Sequence, residues 1–251
     1  MYAKRGLIVL LLALCAASAI DAGRNVTPPT SQPTSQPTKL AELVDQLESH
    51  DPQIRDSARE ELMLLTRDDL PALLGVARKA GRLSTMQISL LRDIVQHVYL
   101  TEIHQFKGNG IGFIGIPRPA DFQDAAVIPE RIIGYDGYRV LRDGDTIVGM
   151  QLQRNANRQM QTVKSFVELQ EFMKMTRPGD WLIVRIIRNG QPMEATLHLA
   201  GRDEANGRPA IAGMTNQNPY LQEAQMYWRD SFQPSLNAAT TRPAGESAPA
   251  D

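Results

Sequence analysis

Apolar residues recur with the period of an α-helix in four successive segments between residues 39 and 100. The second segment opens with Asp51, a residue type that caps helices, followed by Pro52, which fits the first helical turn. The pattern predicts two helical hairpins. In the first segment four apolar residues occupy positions i, i+3, i+4 and i+7 of one face: Leu40, Leu43, Val44 and Leu47.

The same periodicity assigns the faces of the second helix. It predicts that the apolar residues Ile54, Ala58, Leu62 and Leu65 point inward and that the charged residues Arg55, Arg59 and Glu60 point outward.

The remaining two helices carry boundary signals. The third segment has an apolar face through Leu70 and Leu73 and ends at Gly81. The fourth opens with Ser84 and Gln87 in the spacing of a capping box. We therefore expect each helix to begin and end close to these residues.

Residues 107–117, KGNGIGFIGIP, match the pattern G-x-G-x-x-G at Gly110, Gly112 and Gly115. A phosphate site of this form needs a strand before the glycines and a helix that starts among them. A helix end precedes these glycines instead, and Pro117 and Pro119 follow, which oppose a helix there. The sequence predicts a short strand, 113–116, entered from a glycine-rich loop.

The residues after this loop carry sequence patterns typical of strands, a helix and a hairpin. A turn at Gly144-Asp145 leads into an apolar strand, and TVKSFVELQEFMKMTRPGD predicts an amphipathic helix that ends at a Pro-Gly stop. The last two strands flank Asn189-Gly190, a dipeptide typical of tight hairpins.

In this order the elements of residues 106–202 resemble a PDZ domain of the bacterial type, as attached to the periplasmic high-temperature-requirement serine proteases. The run of GD turn, SFVEL helix, PGD and RNGQ carries the resemblance. The family's binding loop has the form aromatic, aliphatic, Gly, aliphatic, which Phe113-Ile114-Gly115-Ile116 matches.

The resemblance implies that main-chain N–H groups of this loop hold the terminal carboxylate of a peptide, which adds as a strand beside the helix. Glycine would let the carboxylate approach the amides. The alternative is that these glycines only form turns. The implied peptide-binding residues are Gly112, Phe113, Ile114, Gly115, Ile116, Phe166, Leu169 and Met173.

Two stretches depart from the family pattern. Where the family has Ser-Pro-Ala-Ala, this chain has IIGYDGYRV, which contains Tyr135, Tyr138 and Arg139. The loop QLQRNANRQMQ is also longer than the family's turn. The sequence leaves open whether residues 134–140 and 151–161 cover the groove.

Residues 39–105 resemble HEAT or armadillo-like repeats, through Asp51, Arg55, Ala58, Leu62 and LPAL at 70–73. About two repeats fit, fewer than normally fold alone, so we expect them to lean on the next domain. The expected fold class is α+β: helical hairpins followed by a PDZ-like antiparallel β-sandwich or partial barrel with a groove helix.

Both ends of the chain have the composition of non-globular segments. Residues 1–19 are typical of an export signal, with Lys4, Arg5, an apolar run and Ala17-Ser18-Ala19 at the cleavage site. A retained membrane anchor is the alternative. Residues 20–38 predict a disordered Pro/Thr/Ser/Gln linker, and 203–251 a largely disordered tail with a short helix at 219–232.

Composition argues against several function classes. The chain has 27 basic and 28 acidic residues, so no positive surplus exists for nucleic acid. Cys15 is the only cysteine and lies in the predicted signal. His97 and His104 are too few for a metal site, and the pair Asp143 and Asp145 fits a turn better than calcium. We expect no metal, no cofactor and no catalytic residues.

The sequence thus predicts a secreted or periplasmic, non-catalytic adaptor that binds extended or C-terminal peptides of partner proteins. One alternative is an accessory subunit that presents substrates to a separate envelope protease. The other is a structural envelope protein whose PDZ-like fold binds nothing.

Overall fold

Helices form the first part of the described chain. The computed structural model describes residues 37–104, 110–117, 126–155, 159–201 and 219–236. Four helices come first: α1 (Pro37–Gln46), α2 (Pro52–Leu62), α3 (Leu70–Lys79) and α4 (Thr85–His104). A 3-10 turn, Arg67–Asp69, leads into α3. The predicted signal and most of the predicted linker lie outside the described residues, as does most of the predicted tail.

The predicted helix caps are confirmed. Asp51 accepts a hydrogen bond from Gln53 N at 2.8 Å and caps α2, with Pro52 at its first position. Ser84 and Gln87 form the reciprocal capping box of α4, with N···O distances of 2.9 and 3.2 Å. The Gln87 amide also donates to the carbonyl of Val44, so this cap ties α4 to α1.

Two residues of α2 face opposite to the prediction. Ile54 is 44% exposed, whereas Arg59 is buried with 7% of its surface exposed. The prediction was wrong for Arg59 because α2 contacts a short helix, α5 (Asp136–Val140), as well as α1 and α4. A second packing surface places a charged residue inside, which a single amphipathic period does not reveal.

The strands form two antiparallel sheets. A two-stranded sheet pairs β1 (Gly112–Phe113) with β7 (Ala200–Gly201). The larger sheet has the order β2-β3-β5-β6, and β4 also pairs with β3. Its strands are β2 (Ala126–Val127), β3 (Thr146–Leu152), β4 (Gln161–Thr162), β5 (Trp181–Arg188) and β6 (Gln191–His198).

Local turn chemistry explains the strand connections. Asn189 and Gly190 both have positive φ, 50° and 77°, which gives the predicted tight hairpin between β5 and β6 the twist it needs. The predicted strand at 113–116 is shorter than expected, since β1 ends at Phe113. Gly115 has φ of 81°, a value incompatible with a continuing strand.

Two further helices belong to the sheet region. The short helix α5 (Asp136–Val140) precedes β3, and α6 (Phe166–Met173) lies between β4 and β5. Ser165 caps α6 by accepting from Glu168 N at 3.2 Å. The structure is α+β, as predicted, and the described strands form no closed barrel.

A final helix, α7 (Pro219–Tyr227), continues through a π-helical turn, Trp228–Phe232, to residue 236. Its buried residues Trp228, Phe232 and Leu236 join the core formed by α1–α4. We call α1–α4 with residues 219–236 the helical region, and 110–201 the sheet region. Each region has its own apolar core, and all described residues fall in one compact unit.

Candidate functional site

The loop formed by residues 112–116 is fixed at its start. Gly112 donates its N–H to the carbonyl of Thr176, just after α6, at 3.4 Å. Gly112 and Phe113 also pair with β7. The sequence predicted that this loop and α6 belong to one site, and these contacts place the loop beside the C-terminal end of α6.

Three consecutive amides follow. Within the described part of the chain, the N–H groups of Ile114, Gly115 and Ile116 donate to no backbone carbonyl. The side chains of Ile114 and Ile116 are buried, at 3% and 4% exposure. The loop is therefore anchored by its side chains, and its three main-chain donors have no backbone acceptor among the residues that the structure describes.

Steric packing inside the protein explains why glycine occupies position 115 in the loop and position 137 behind it. A Cβ on Gly115 would overlap the Cβ of Tyr135, and its positive φ also disfavours other residues. A Cβ on Gly137 would overlap the carbonyl oxygen of Ile114. The proposed approach of a carboxylate is thus not needed to explain Gly115, because Tyr135 already excludes a side chain there.

The predicted groove residues of α6 lie in the core of the sheet region. Phe166, Leu169 and Met173 are 5%, 4% and 8% exposed, and they pack with Phe172 in the same apolar cluster. Val167 is the large apolar residue of α6 that is exposed, at 52%. Any pocket lined by Leu169 and Met173 is filled by core packing in this structure.

The stretches at 134–140 and 151–161, which the sequence left as possible covers of the groove, contact the site differently. Tyr135 is buried, and its ring meets that of Phe113 edge to face at 4.9 Å, so it packs directly against the loop. Arg154, in the second stretch, pairs with Asp180 at 2.6 Å and donates to Met175 O at 3.1 Å. That stretch is thereby held near the end of α6, and its residues 156–158 lie outside the described ones.

A cluster of charged and aromatic groups joins the sheet region to the helical region. The Tyr138 ring has the guanidinium groups of Arg59 and Arg131 near it, at 5.1 and 5.0 Å. His97 stacks on the same ring at 5.8 Å and accepts from Gly134 N at 3.2 Å. Burial lowers the pKa of Arg59 and raises the pKa of Tyr138.

The two carboxylates that flank Gly144, those of Asp143 and Asp145, each form an ion pair with an arginine. Asp145 is buried and binds Arg188 at 2.7 Å, and the hydrogen bond to Asp145 raises the pKa of Arg188. Asp143 pairs with Arg131 at 2.7 Å. Among the described residues no group of three or more His, Cys, Asp or Glu is placed to hold a metal ion. No described helix has the length and hydropathy of a membrane span.

A cleft of about 700 Å³ lies between α4 and the C-terminal helix. Ile88, Asp93 and Gln96 line one wall, and Trp228 and Gln233 line the other. Burial raises the pKa of Asp93, and the nearby Arg92 opposes that shift. The cleft presents amide, carboxylate and guanidinium groups, the last from Arg92 and Arg229, beside apolar side chains, and the sequence gave no sign of it.

The sequence predicted that the loop and α6 form one site, and it left open whether residues 134–140 cover that site; it gave no sign that they lie behind the loop. Tyr135 and Gly137 pack against the loop, and their only signal in the sequence was that IIGYDGYRV departs from the expected pattern. A scan of the chain against protein-family models finds no match, and a search of curated proteins finds no similar protein.

Proposed function

We propose that this protein is an exported, non-catalytic adaptor whose PDZ-like sheet region binds the C-terminal or extended segments of partner proteins. The observation that carries this proposal is the run of three consecutive N–H groups, Ile114 to Ile116, that have no backbone acceptor among the described residues. Successive main-chain N–H groups can form an anion site without charged side chains.

The element order supports the finer fold assignment. A glycine loop beside β1 is followed by the short helix α5, the strand after the Gly144 turn, α6, and the β5–β6 hairpin, which is the order expected of a bacterial-type PDZ domain. The antiparallel pairing of these strands is compatible with it. In the same proposal, α1–α4 are HEAT-like hairpins that serve as a platform for protein contact.

The binding mechanism follows from the loop. A terminal carboxylate would accept hydrogen bonds from the amides of residues 114–116, while the peptide main chain adds alongside the loop. The last peptide side chain would have to enter between the loop and α6. Because Leu169 and Met173 are buried there, α6 would move outward when the peptide binds.

A structural protein without peptide binding is the second candidate. Two observations favour it: the contact with Tyr135 and the positive φ explain Gly115 without a ligand, and the α6 residues are buried in the core. An accessory subunit that hands substrates to an envelope protease uses the same site as the adaptor and would be recognised by co-purification with that protease.

Calorimetry with paired peptides tests the proposal. Each member of a library of hexapeptides that differ in their last two residues is synthesised as the free acid and as the C-terminal amide. For at least one sequence we expect Kd of about 1 μM for the free acid, near −8 kcal/mol, and binding at least about tenfold weaker for the amide. Equal affinities for every pair would favour the structural protein.

The protein variant for this experiment should spare the core. Leu169→Glu would place a charge in the apolar cluster, so it would weaken folding as well as binding. Val167→Glu changes the exposed position of the same helix. This variant should fold normally and serves as the control. If it weakens peptide binding, the peptide contacts the outer face of α6; if it does not, the peptide binds elsewhere.

A further inference from the structure

We infer that Arg59 and His97, two residues of the helical region, are positioning residues for the 112–116 loop, and this inference rests on the proposed function. They act through residues 132–139, which we call the strap. The strap contacts the loop on one side and the helical region on the other. The helical region would thereby set how well the loop amides hold a carboxylate.

Two side chains of the helical region form hydrogen bonds with the main chain of the strap. Arg59 of α2 donates to the carbonyls of Arg139 and Tyr138, at 3.2 and 3.3 Å. His97 of α4 accepts from the Gly134 N–H at 3.2 Å. Arg59 and His97 are buried, with 7% and 1% of their surfaces exposed; the His97 bond is buried and the two Arg59 bonds are partly buried.

The strap also contacts the loop, through one hydrogen bond and two packing contacts. The Ile132 N–H donates to the carbonyl of Gly115 at 2.7 Å. Tyr135 packs where a Cβ of Gly115 would be, and Gly137 packs against the carbonyl of Ile114. The strap therefore contacts the two peptide units whose orientation decides where the loop N–H groups point.

These contacts have a consequence for binding. A hydrogen-bond site needs its donors held within about 0.5 Å of the productive position. The strap includes most of the short helix α5, and it is hydrogen-bonded to the helical region at Gly134 and again at Tyr138 and Arg139. Arg142, just after the strap, also pairs with Glu60 of α2 at 2.9 Å, so removing the two Arg59 bonds would loosen the strap rather than detach it. The peptide units that follow Ile114 and Gly115 would then be freer to reorient.

The variant Arg59→Met removes both donors while the aliphatic side chain still fills part of the buried space. Arg55→Met is the matched control on the same helix, because Arg55 donates to the carbonyl of Ser49 at 3.0 Å, within the helical region. Arg59→Lys keeps the charge but not the two-pronged geometry, so it should give an intermediate effect. Circular dichroism confirms that each variant is folded before use.

Amide hydrogen exchange tests the inference without any ligand. The Ile132 N–H reports directly on the bond between strap and loop. We expect its exchange in the full chain to be about tenfold faster, or more, in Arg59→Met than in wild type, with no change in Arg55→Met. Equal protection of Ile132 in the two variants would overturn the inference.

Peptide binding gives the second readout. The probe is the peptide whose free-acid and amide forms differ most in Kd for the wild-type protein. We expect Arg59→Met to lose most of the preference for the free acid, while Arg55→Met keeps it. A preference retained in full by Arg59→Met overturns the positioning role and leaves the proposed function intact. If the wild-type protein has no preference, the proposed function fails, and the exchange of Ile132 decides the positioning role by itself.

Discussion

Replacing Phe232 tests whether the C-terminal helix contributes to the core of the helical region. The Phe232 side chain is fully buried, it stacks on Trp228 at 5.4 Å, and it contacts the Tyr227 ring at 6.1 Å. It reaches this core from a helix more than a hundred residues beyond α4 in the chain. The variant Phe232→Ala removes the ring and leaves a cavity among α1–α4 and the C-terminal helix.

The expected loss follows from the burial. Replacing a buried Phe with Ala costs about 3–5 kcal/mol, and a stacked aromatic pair adds about 0.5–1.5 kcal/mol to ordinary burial. Phe232 has both features, so we expect a loss in the upper half of the first range. For a chain of this size each kcal/mol lowers Tm by about 2–4 °C, which gives a decrease of roughly 10 °C or more.

Thermal and urea unfolding of the full chain measure the effect. Met226→Ala is the matched control on the same helix, because Met226 is 46% exposed, and its change should stay within about 0.5 kcal/mol. A loss below about 1 kcal/mol for Phe232→Ala would show that the C-terminal helix does not complete the core. The packing described here would then be wrong.

Two further predictions concern glycine and charge. Gly115→Ala should cost at least about 1 kcal/mol more in unfolding free energy than Gly144→Ala. Both glycines have positive φ, but only Gly115 would meet Tyr135, and equal losses would contradict that contact. Asp93→Asn should raise Tm at pH 7, because a pKa raised by burial means that the charged form of Asp93 opposes folding. That cost is absent below the ordinary Asp pKa and grows as the pH rises through the raised one. The gain in Tm should therefore vanish in acid, and a gain of equal size at both pH values would refute the assignment.

Local sequence signals determined much of the secondary structure. Asp51, Ser84 and Gln87 cap their helices as expected, and Asn189-Gly190 forms the hairpin. These features depend on hydrogen bonds and backbone angles within a few residues, so the sequence near each one is sufficient to predict it. The α+β class followed from the order of these elements.

The tertiary structure alone decided which residues support the candidate site. Arg59 was expected outside, yet it is buried because α2 also packs against α5. Leu169 and Met173 were expected to line a groove, and the structure places them in the core. An amphipathic period shows that a face is apolar, but it does not show whether that face meets the core or a ligand.

The same limit applies to the glycine loop. The sequence showed that Gly115 lies in a pattern compatible with anion binding, whereas the fold brings Tyr135 from twenty residues away against its Cα. Trp228 and Phe232 likewise reach the helical core from the far end of the chain. Contacts between residues distant in sequence depend on the packing of whole elements, and no local pattern in a single sequence specifies them.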